Sequence, residues 1–278
     1  MMLRFKQKCF SSTLSVLLCA IFSFAVTTTC SAAIVIGGTG NALGTMKKLA
    51  DAYQNATPGV KVKVLPSIGS GGAIKSVTSG RVQIGLSARP LKPAEAKKGI
   101  VAIEYARTPT IFAVANKTKV TAVTLAQLVD IYNGVLKQWP DGSTIRPILR
   151  QAKDDNTRQI KALSPEMKKA VTSAEHRKGF LFAATDQKTV DKIESIPGSF
   201  GVTSLALMLS ENRKLHALTL DGIKPTVESC KSGDYPMTKR FYFILPRERS
   251  AQVNAFLDFV FSEKGAAILE KYGSYPIR

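Results

Sequence analysis

An α/β fold is predicted by two observations near the start of the chain and one of size. The apolar run Ala33-Ile34-Val35-Ile36 passes directly into the loop Gly37-Gly38-Thr39-Gly40-Asn41, after which Met46, Leu49, Ala50 and Tyr53 recur at helical spacing. A second strand candidate, Val60 to Leu65, leads into another glycine-rich loop, a short helix and a third strand. Beyond an N-terminal leader the chain is about 246 residues long, enough for one large domain or two lobes of ordinary size.

Residues 1–32 read as that leader. Arg4, Lys6 and Lys8 precede the apolar run Leu14 to Val26, and Cys30-Ser31-Ala32 supplies small residues for cleavage, the pattern of a secretory signal peptide. A membrane anchor needs about 20 apolar residues, whereas this run is shorter and broken by Ser23. Cleavage and release to the periplasm, or another secreted destination, is expected. Cys9, Cys19 and Cys30 leave with the leader, so Cys230 stays alone in an oxidising compartment, with no intramolecular disulfide to form. It is expected to be a small buried or half-buried residue.

The whole chain carries 39 Lys and Arg against 20 Asp and Glu, a net charge of +19. Without the basic residues of the leader the net is about +16. Such a field attracts anions and raises their encounter rate; nucleic acid, acidic surfaces and small oxyanions all qualify.

The loop after the first strand admits a dinucleotide reading. Gly38, Gly40 and Gly44 spell G-x-G-x-x-x-G, close to the fingerprint of a secreted NAD(P)-binding enzyme. Against it, Val60 to Leu65 ends in Pro66-Ser67 with no acidic residue to hold a ribose. The next loop, Gly69-Ser70-Gly71-Gly72-Ala73-Ile74-Lys75, is expected to open a helix with Ser70 as N-cap, Ile74 and Val77 inward and Gly80 as the left-handed stop. Val82, Ile84 and Leu86 then alternate as one face of a strand. Glycines around a capping serine leave backbone N–H groups uncovered at a helix start, and such a start attracts anions. Taken alone, Gly-Ser-Gly-Gly is also an ordinary flexible turn.

Further on, Ile103 to Ala115 is β-rich and interrupted by Pro109. Leu125, Leu128, Val129 and Tyr132 share a helix face ended by Gly134, and Trp139-Pro140-Asp141-Gly142 makes a turn. After Pro147-Ile148-Leu149-Arg150, Asp154 and Asp155 can cap a helix from Thr157 to Leu163. Residues 164–192 are polar and basic, with Phe180, Leu181 and Phe182 as the main buried candidates and Glu175-His176 on a solvated face. Phe241 to Leu245 reads as a strand. Val253, Phe256, Leu257 and Val260 make an amphipathic helix, and Gly265 and Ile268 open a last one closed by Gly273.

Groups for catalysis are sparse. His176 and His216 lie far from any nucleophile elbow, and Gly85-Leu86-Ser87-Ala88-Arg89 lacks the final glycine of that motif. There is no H-E-x-x-H, no cysteine pair after processing, and no P-loop lysine in Gly40 to Thr45. Neither enzymatic activity, nor a cofactor, nor a bound metal is expected. Helix-turn-helix and aromatic-basic stacking motifs are missing too, so nucleic acid is not an expected partner.

Gly69 to Lys75, followed by Ser79-Gly80-Arg81-Val82-Gln83-Ile84-Gly85-Leu86-Ser87-Ala88-Arg89-Pro90-Leu91, resembles the phosphate-binding proteins that serve ABC-type phosphate importers. The helix, glycine, tryptophan and turn through Gly142 is similar to the same family, as are Ile196 to Val202, Leu220 to Thr226 and Ser232 to Met237. The resemblance implies a two-lobed, type II periplasmic-binding-protein fold with the ligand cleft between lobes and a two-strand hinge. Residues 33–112 and 241–278 would form the first lobe and 113–240 the second. It also implies an oxyanion ligand, inorganic phosphate foremost with sulfate, phosphonate or tungstate as alternatives, passed by a monomer to membrane ABC permease subunits. Ligand contacts carried over are Thr39, Gly40, Asn41, Ser70, Gly71 and Arg150. Asp155, Asn156 and Thr157 overlie the family's third binding loop with one extra residue and without its serine and glycine. Ser87 and Arg89 are further candidates. Ala88 stands where the family commonly has an aspartate that accepts from a protonated phosphate oxygen, and its absence predicts weaker discrimination against sulfate.

Overall fold

The computed structural model describes residues 33–277, so the expected signal peptide lies outside the described residues. Three parallel strands, β1 (Ile34–Gly38), β2 (Val62–Val64) and β3 (Ile84–Ser87), are connected by α1 (Gly40–Ala56) and α2 (Gly69–Thr78). Met46, Leu49, Ala50 and Tyr53 are buried on α1, as their spacing requires. All four residues of β3 are buried, not one face only. A Cβ on Gly85 would meet Val77 at 2.9 Å and Ile244 of the paired strand at 3.1 Å, so α2 presses closely on that face of the strand.

The short α3 (Pro93–Ala96) leads into β4 (Ile100–Ala115), which begins before Ile103 and runs on through Pro109. Next come β5 (Ala122–Val123), α4 (Leu125–Asn133), β6 (Arg146–Leu149), α5 (Asp155–Ala162), α6 (Pro165–His176), β7 (Leu181–Phe182) and α7 (Asp186–Ser195). They are followed by β8 (Ser199–Ser204), α8 (Leu205–Ser210), β9 (Leu215–Ala217), β10 (Thr219–Leu220) and α9 (Val227–Ser232). The chain returns through β11 (Thr238–Pro246) to α10 (Ala251–Phe261), α11 (Glu263–Lys271) and β12 (Tyr275–Pro276).

The main sheet runs β2-β1-β3-β11-β4-β8-β6-β7. Its centre is β4, whose partner changes along its length: Ile100 to Pro109 pair with β11, and Thr110 to Val114 pair with β8. Pro109 brings no N–H to a ladder, and it stands at that handover, which is why the strand tolerates it. Two large apolar cores flank the handover. One draws on Ile34 to Ala106 and Phe241 to Leu269 with Ala206 added, the other on Phe112 to Met237.

Three local expectations need correction. α5 starts at Asp155 rather than Thr157, because Asp154 is its cap and accepts from the Asn156 N–H at 3.0 Å. Between residues 164 and 192 the core is filled by Met167, Ala170, Val171, Ala174 and Val190, while Phe182 is 50% exposed. Glu175 is not on a solvated face; it pairs with Lys161 at 2.8 Å. Cys230 is a free thiol and buried, and burial pushes it up despite the Thr238 hydroxyl beside it. No described helix is long and apolar enough to cross a membrane.

Candidate functional site

Four helices begin around one cavity of about 400 Å³. Thr39 and Asn41 come from the start of α1, Gly69 to Gly71 from α2, Asp154 and Asp155 from α5, and Thr185 and Asp186 from α7. The first turn of a helix has N–H groups without intrahelical partners, and the aligned peptide dipoles leave roughly half a positive charge there. Four such ends facing one space make it attractive to an anion before any side chain is counted.

One wall of the cavity works through backbone and hydroxyl groups. Ser70 is not the N-cap of α2; the helix starts one residue earlier with Ile68 in that role. The Ser70 hydroxyl instead accepts from the Ala88 N–H at 3.0 Å, which leaves its own O–H to donate into the cavity. Arg89 reaches the rim, but its guanidinium forks onto Glu95 at 2.7 and 2.8 Å. That pairing holds the Glu95 carboxyl down at about 2. Ser87 is buried and closes a local turn, donating to the Arg89 carbonyl and accepting from its N–H.

The opposite wall works through charge. The Arg150 side chain is only 8% exposed and contacts Asp154 at 2.8 Å and Asp186 at 3.3 Å. It also donates to the Ala183 carbonyl at 3.2 Å, while its Nε is buried without a partner. Asp186 accepts from the Asn41 N–H at 3.2 Å and from the Asn156 amide at 3.4 Å, so it touches the starts of α1 and α5 from the start of α7. Burial raises its pKa, against the opposing pull of Arg150. Asp155 has another duty: it receives the Lys239 ammonium, whose side chain is fully buried on β11, and it also holds Arg158 and Gln159. Burial pushes the Asp155 carboxyl up, but Lys239, Gln159 and Arg158 together outweigh it and the net shift is downward.

Of the residues carried over from the sequence, the structure brings Thr39, Asn41, Ser70, Gly71, Arg89, Arg150 and Asp155 to the cavity lining. Gly40, Ser87, Asn156 and Thr157 are outside it. Asn156 lies behind the wall, donating to the Val202 carbonyl at 3.1 Å. Thr157 is buried on α5 beneath it. Sequence reasoning missed Thr185 and Asp186, although Thr185 caps α7 by accepting from the Lys188 N–H, and a Thr-Asp pair opening a helix is a readable start signal.

The glycines of the dinucleotide-like loop are accounted for by protein neighbours. A Cβ on Gly38 would meet the Leu86 carbonyl oxygen at 2.1 Å, one on Gly40 the Gln187 amide oxygen at 2.3 Å, and one on Gly44 the Ser210 hydroxyl at 2.2 Å. These glycines let β1 lie against β3 and let α1 approach α7 and α8. No cofactor is needed to explain them. Among the described residues no group of His, Cys, Asp and Glu could hold a metal ion.

Helix starts converging on a cavity beside a nearly enclosed arginine make a site suited to a small anion. Residues 25–264 match the model of the PBP superfamily domain, and the chain belongs to that family. It is 25% identical over 218 residues to the phosphate-binding protein PstS of Borreliella burgdorferi, covering 76% of this chain and 78% of that protein. To PstS of Bacillus subtilis it is 25% identical over 252 residues, covering 89% and 81%. A Clostridium perfringens chain assigned to a phosphate ABC transporter, and solved with bound phosphate, superposes with a TM-score of 0.72 at 22% identity over 88% of this chain and all of that one. The fold is therefore the two-lobed binding-protein fold.

Proposed function

We propose that this chain is a secreted solute-binding protein that captures an oxyanion, inorganic phosphate foremost, and delivers it to the permease subunits of an ABC-type importer. The observation that carries the reading is the convergence of four helix starts and the enclosed Arg150 on one cavity. Both curated relatives named above are called phosphate-binding proteins, which supports phosphate over sulfate, phosphonate or tungstate.

The ligand contacts follow from donor chemistry. The Gly71 N–H, the Ser70 hydroxyl and the Arg150 guanidinium donate to the anion, and Thr39 and Asn41 lie beside them, the Asn41 N–H being held by Asp186. The donors belong to both lobes, so only a closed form engages them together, and the anion stabilises closure by its differential affinity. The strands β4 and β11 serve as the hinge, with the lobes dividing near residues 112 and 240. The protein acts as a monomer in the periplasm or its equivalent outside the cell, where its positive charge speeds capture of anions.

Calorimetry and thermal shift on protein stripped of anion by unfolding and refolding test this. Phosphate should bind one per chain and raise the melting temperature. No heat and no shift at millimolar phosphate would defeat the reading.

A further inference from the structure

We propose that Glu175 is a positioning residue for Arg150: one buried water, accepting from the Arg150 Nε–H and donating to a Glu175 carboxylate oxygen, fixes the guanidinium that meets the anion. The inference rests on the oxyanion reading above and adds to it what holds the arginine from within the second lobe.

Arg150 follows β6 directly and lines two spaces, the main cavity and a second one of about 10 Å³. No other described residue lines both. The small space lies between the strands and two helices. Thr157 and Ile160 border it from α5, and Val171 and Glu175 border it from α6. Their spacings of three and four residues put each pair on one helix face.

Two buried atoms of these lining residues have no hydrogen-bond partner in the protein, Arg150 Nε and Glu175 Oε1. They are complementary: the first can only donate and the second, ionised, can only accept. The other polar atoms of both side chains are occupied. The Arg150 terminal nitrogens hold Asp154, Asp186 and the Ala183 carbonyl. Glu175 is 14% exposed, and its second oxygen accepts from the Lys161 ammonium at 2.8 Å. Buried polar atoms are nearly always paired, and a carboxylate oxygen left without a donor is costly.

A space of about 10 Å³ is roughly one water-sized sphere, and a buried water takes about two to four polar partners. Arg150 Nε–H and Glu175 Oε1 supply a donor and an acceptor, and Tyr132 and Thr157 bring hydroxyl-bearing side chains to the same lining. Cavities that stay dry are lined by apolar groups alone. A bridging water is nearly as favourable in enthalpy as a direct bond. With Nε held as well, all three nitrogens of the planar group have partners, so the fork is set before the anion arrives and less order is lost on binding. Lys161 offsets the charge of Glu175, so the carboxylate orients Arg150 with little repulsion of the ligand.

The test uses the refolded, anion-free chain. Hydrogen exchange at the Arg150 Nε–H is followed by NMR, the signal being assigned by its loss in Arg150→Lys, and affinity for inorganic phosphate is measured by calorimetry. In wild type this Nε–H should exchange at least about tenfold more slowly than that of an exposed arginine. Glu175→Met, which keeps the bulk and removes the acceptor, should speed the exchange and weaken phosphate binding by about tenfold. Glu175→Gln, which keeps an acceptor oxygen, should recover most of both losses. Val171→Ala disturbs packing at the same space without removing either polar atom; it should lower the melting temperature and hold phosphate affinity within about threefold of wild type. A folded Glu175→Met protein with wild-type exchange and affinity overturns the proposal. So does Glu175→Gln behaving like Glu175→Met, which assigns the effect to the Lys161 ion pair, or Val171→Ala weakening phosphate as much as Glu175→Met does. If Glu175→Met does not fold, wild type and Glu175→Gln decide, and a wild-type Nε–H that exchanges like an exposed one overturns the proposal. Slow, Glu175-dependent exchange in a protein that binds no phosphate overturns the oxyanion reading and leaves the bridge in place.

Discussion

The two walls of the cleft meet a charge by different means. The wall made by Thr39, Asn41, Ser67 to Gly71 and Ala88 to Arg89 offers backbone N–H groups and a serine hydroxyl, and its guanidinium is turned away onto Glu95. The wall made by Arg150, Gln151, Lys153 to Asp155, Arg158 and Ala184 to Asp186 offers a buried arginine held between two carboxylates. Backbone donors have no protons to gain or lose in the working pH range, so the first wall can supply attraction that does not vary. Side chains can be tuned by neighbours, so the second wall is where selectivity can be built. The difference teaches that affinity and discrimination need not share residues.

The strongest way to break this comparison is at Arg150. Each charge-assisted bond is worth about 1.5–3 kcal/mol, so Arg150→Lys, which keeps the charge and loses the fork, should weaken phosphate binding at least about tenfold. Circular dichroism should be unchanged. Wild-type affinity in this variant would mean that the first wall does all the binding.

Next in size is a pair of glycine substitutions that separates contact between the walls from the cavity itself. In Gly40→Ala the new Cβ would lie 2.3 Å from the Gln187 amide oxygen and 2.9 Å from the Asp186 Cβ. Forcing a methyl into a filled space costs about 1–3 kcal/mol, and here it also pushes α1 away from α7. Gly71→Ala meets nothing within 4 Å, and its effect on stability should stay within about 0.5 kcal/mol. Urea denaturation of both proteins checks the contrast; equal midpoints would show that α1 and α7 are not in tight contact.

Much of the first wall was legible in the sequence, and the reason is physical. Backbone donors at a helix start require small residues nearby, so Gly69 to Gly72 and Gly37 to Gly40 announce themselves as a local run. Fold was legible for a similar reason: Val253, Phe256, Leu257 and Val260 are all buried on α10 at the spacing that marked them. Asp186 was not legible, because its role depends on Arg150 and Asn41, which are far away in sequence and come together only through β6, α7 and β1. Ser70 was mistaken for a cap because capping and ligand-facing serines look alike in sequence; only its acceptance from Ala88, on another segment, separates them. Phe182 was expected inside on hydrophobicity alone, yet its strand is at the sheet edge and the small residues of α6 fill the core instead.

The smallest expected effect sharpens the contrast on the first wall. Glu95 is depressed to about 2 by Arg89, against about 4.3 for a free glutamate. A depressed carboxylate stabilises the fold above its unfolded value, so this contribution is complete above about pH 4.3 and fades as the pH falls towards 2. The pair is partly exposed, and solvent screening keeps its worth within about 1 kcal/mol. Glu95→Gln should therefore flatten the acid limb of a stability profile slightly, and, by freeing Arg89 at the cavity rim, tighten phosphate binding by a small factor. An unchanged acid limb would mean that the Arg89 fork contributes nothing to stability.

The central claim is that one anion is held by both walls at once, and a crystal structure of the refolded protein grown with phosphate measures it most directly. The account predicts a single phosphate in the cavity, within hydrogen-bond distance of the Gly71 N–H, the Ser70 hydroxyl and the Arg150 guanidinium, and beside Thr39 and Asn41. Phosphate bound only to surface lysines, or held in the cavity by one wall without Arg150, would contradict it.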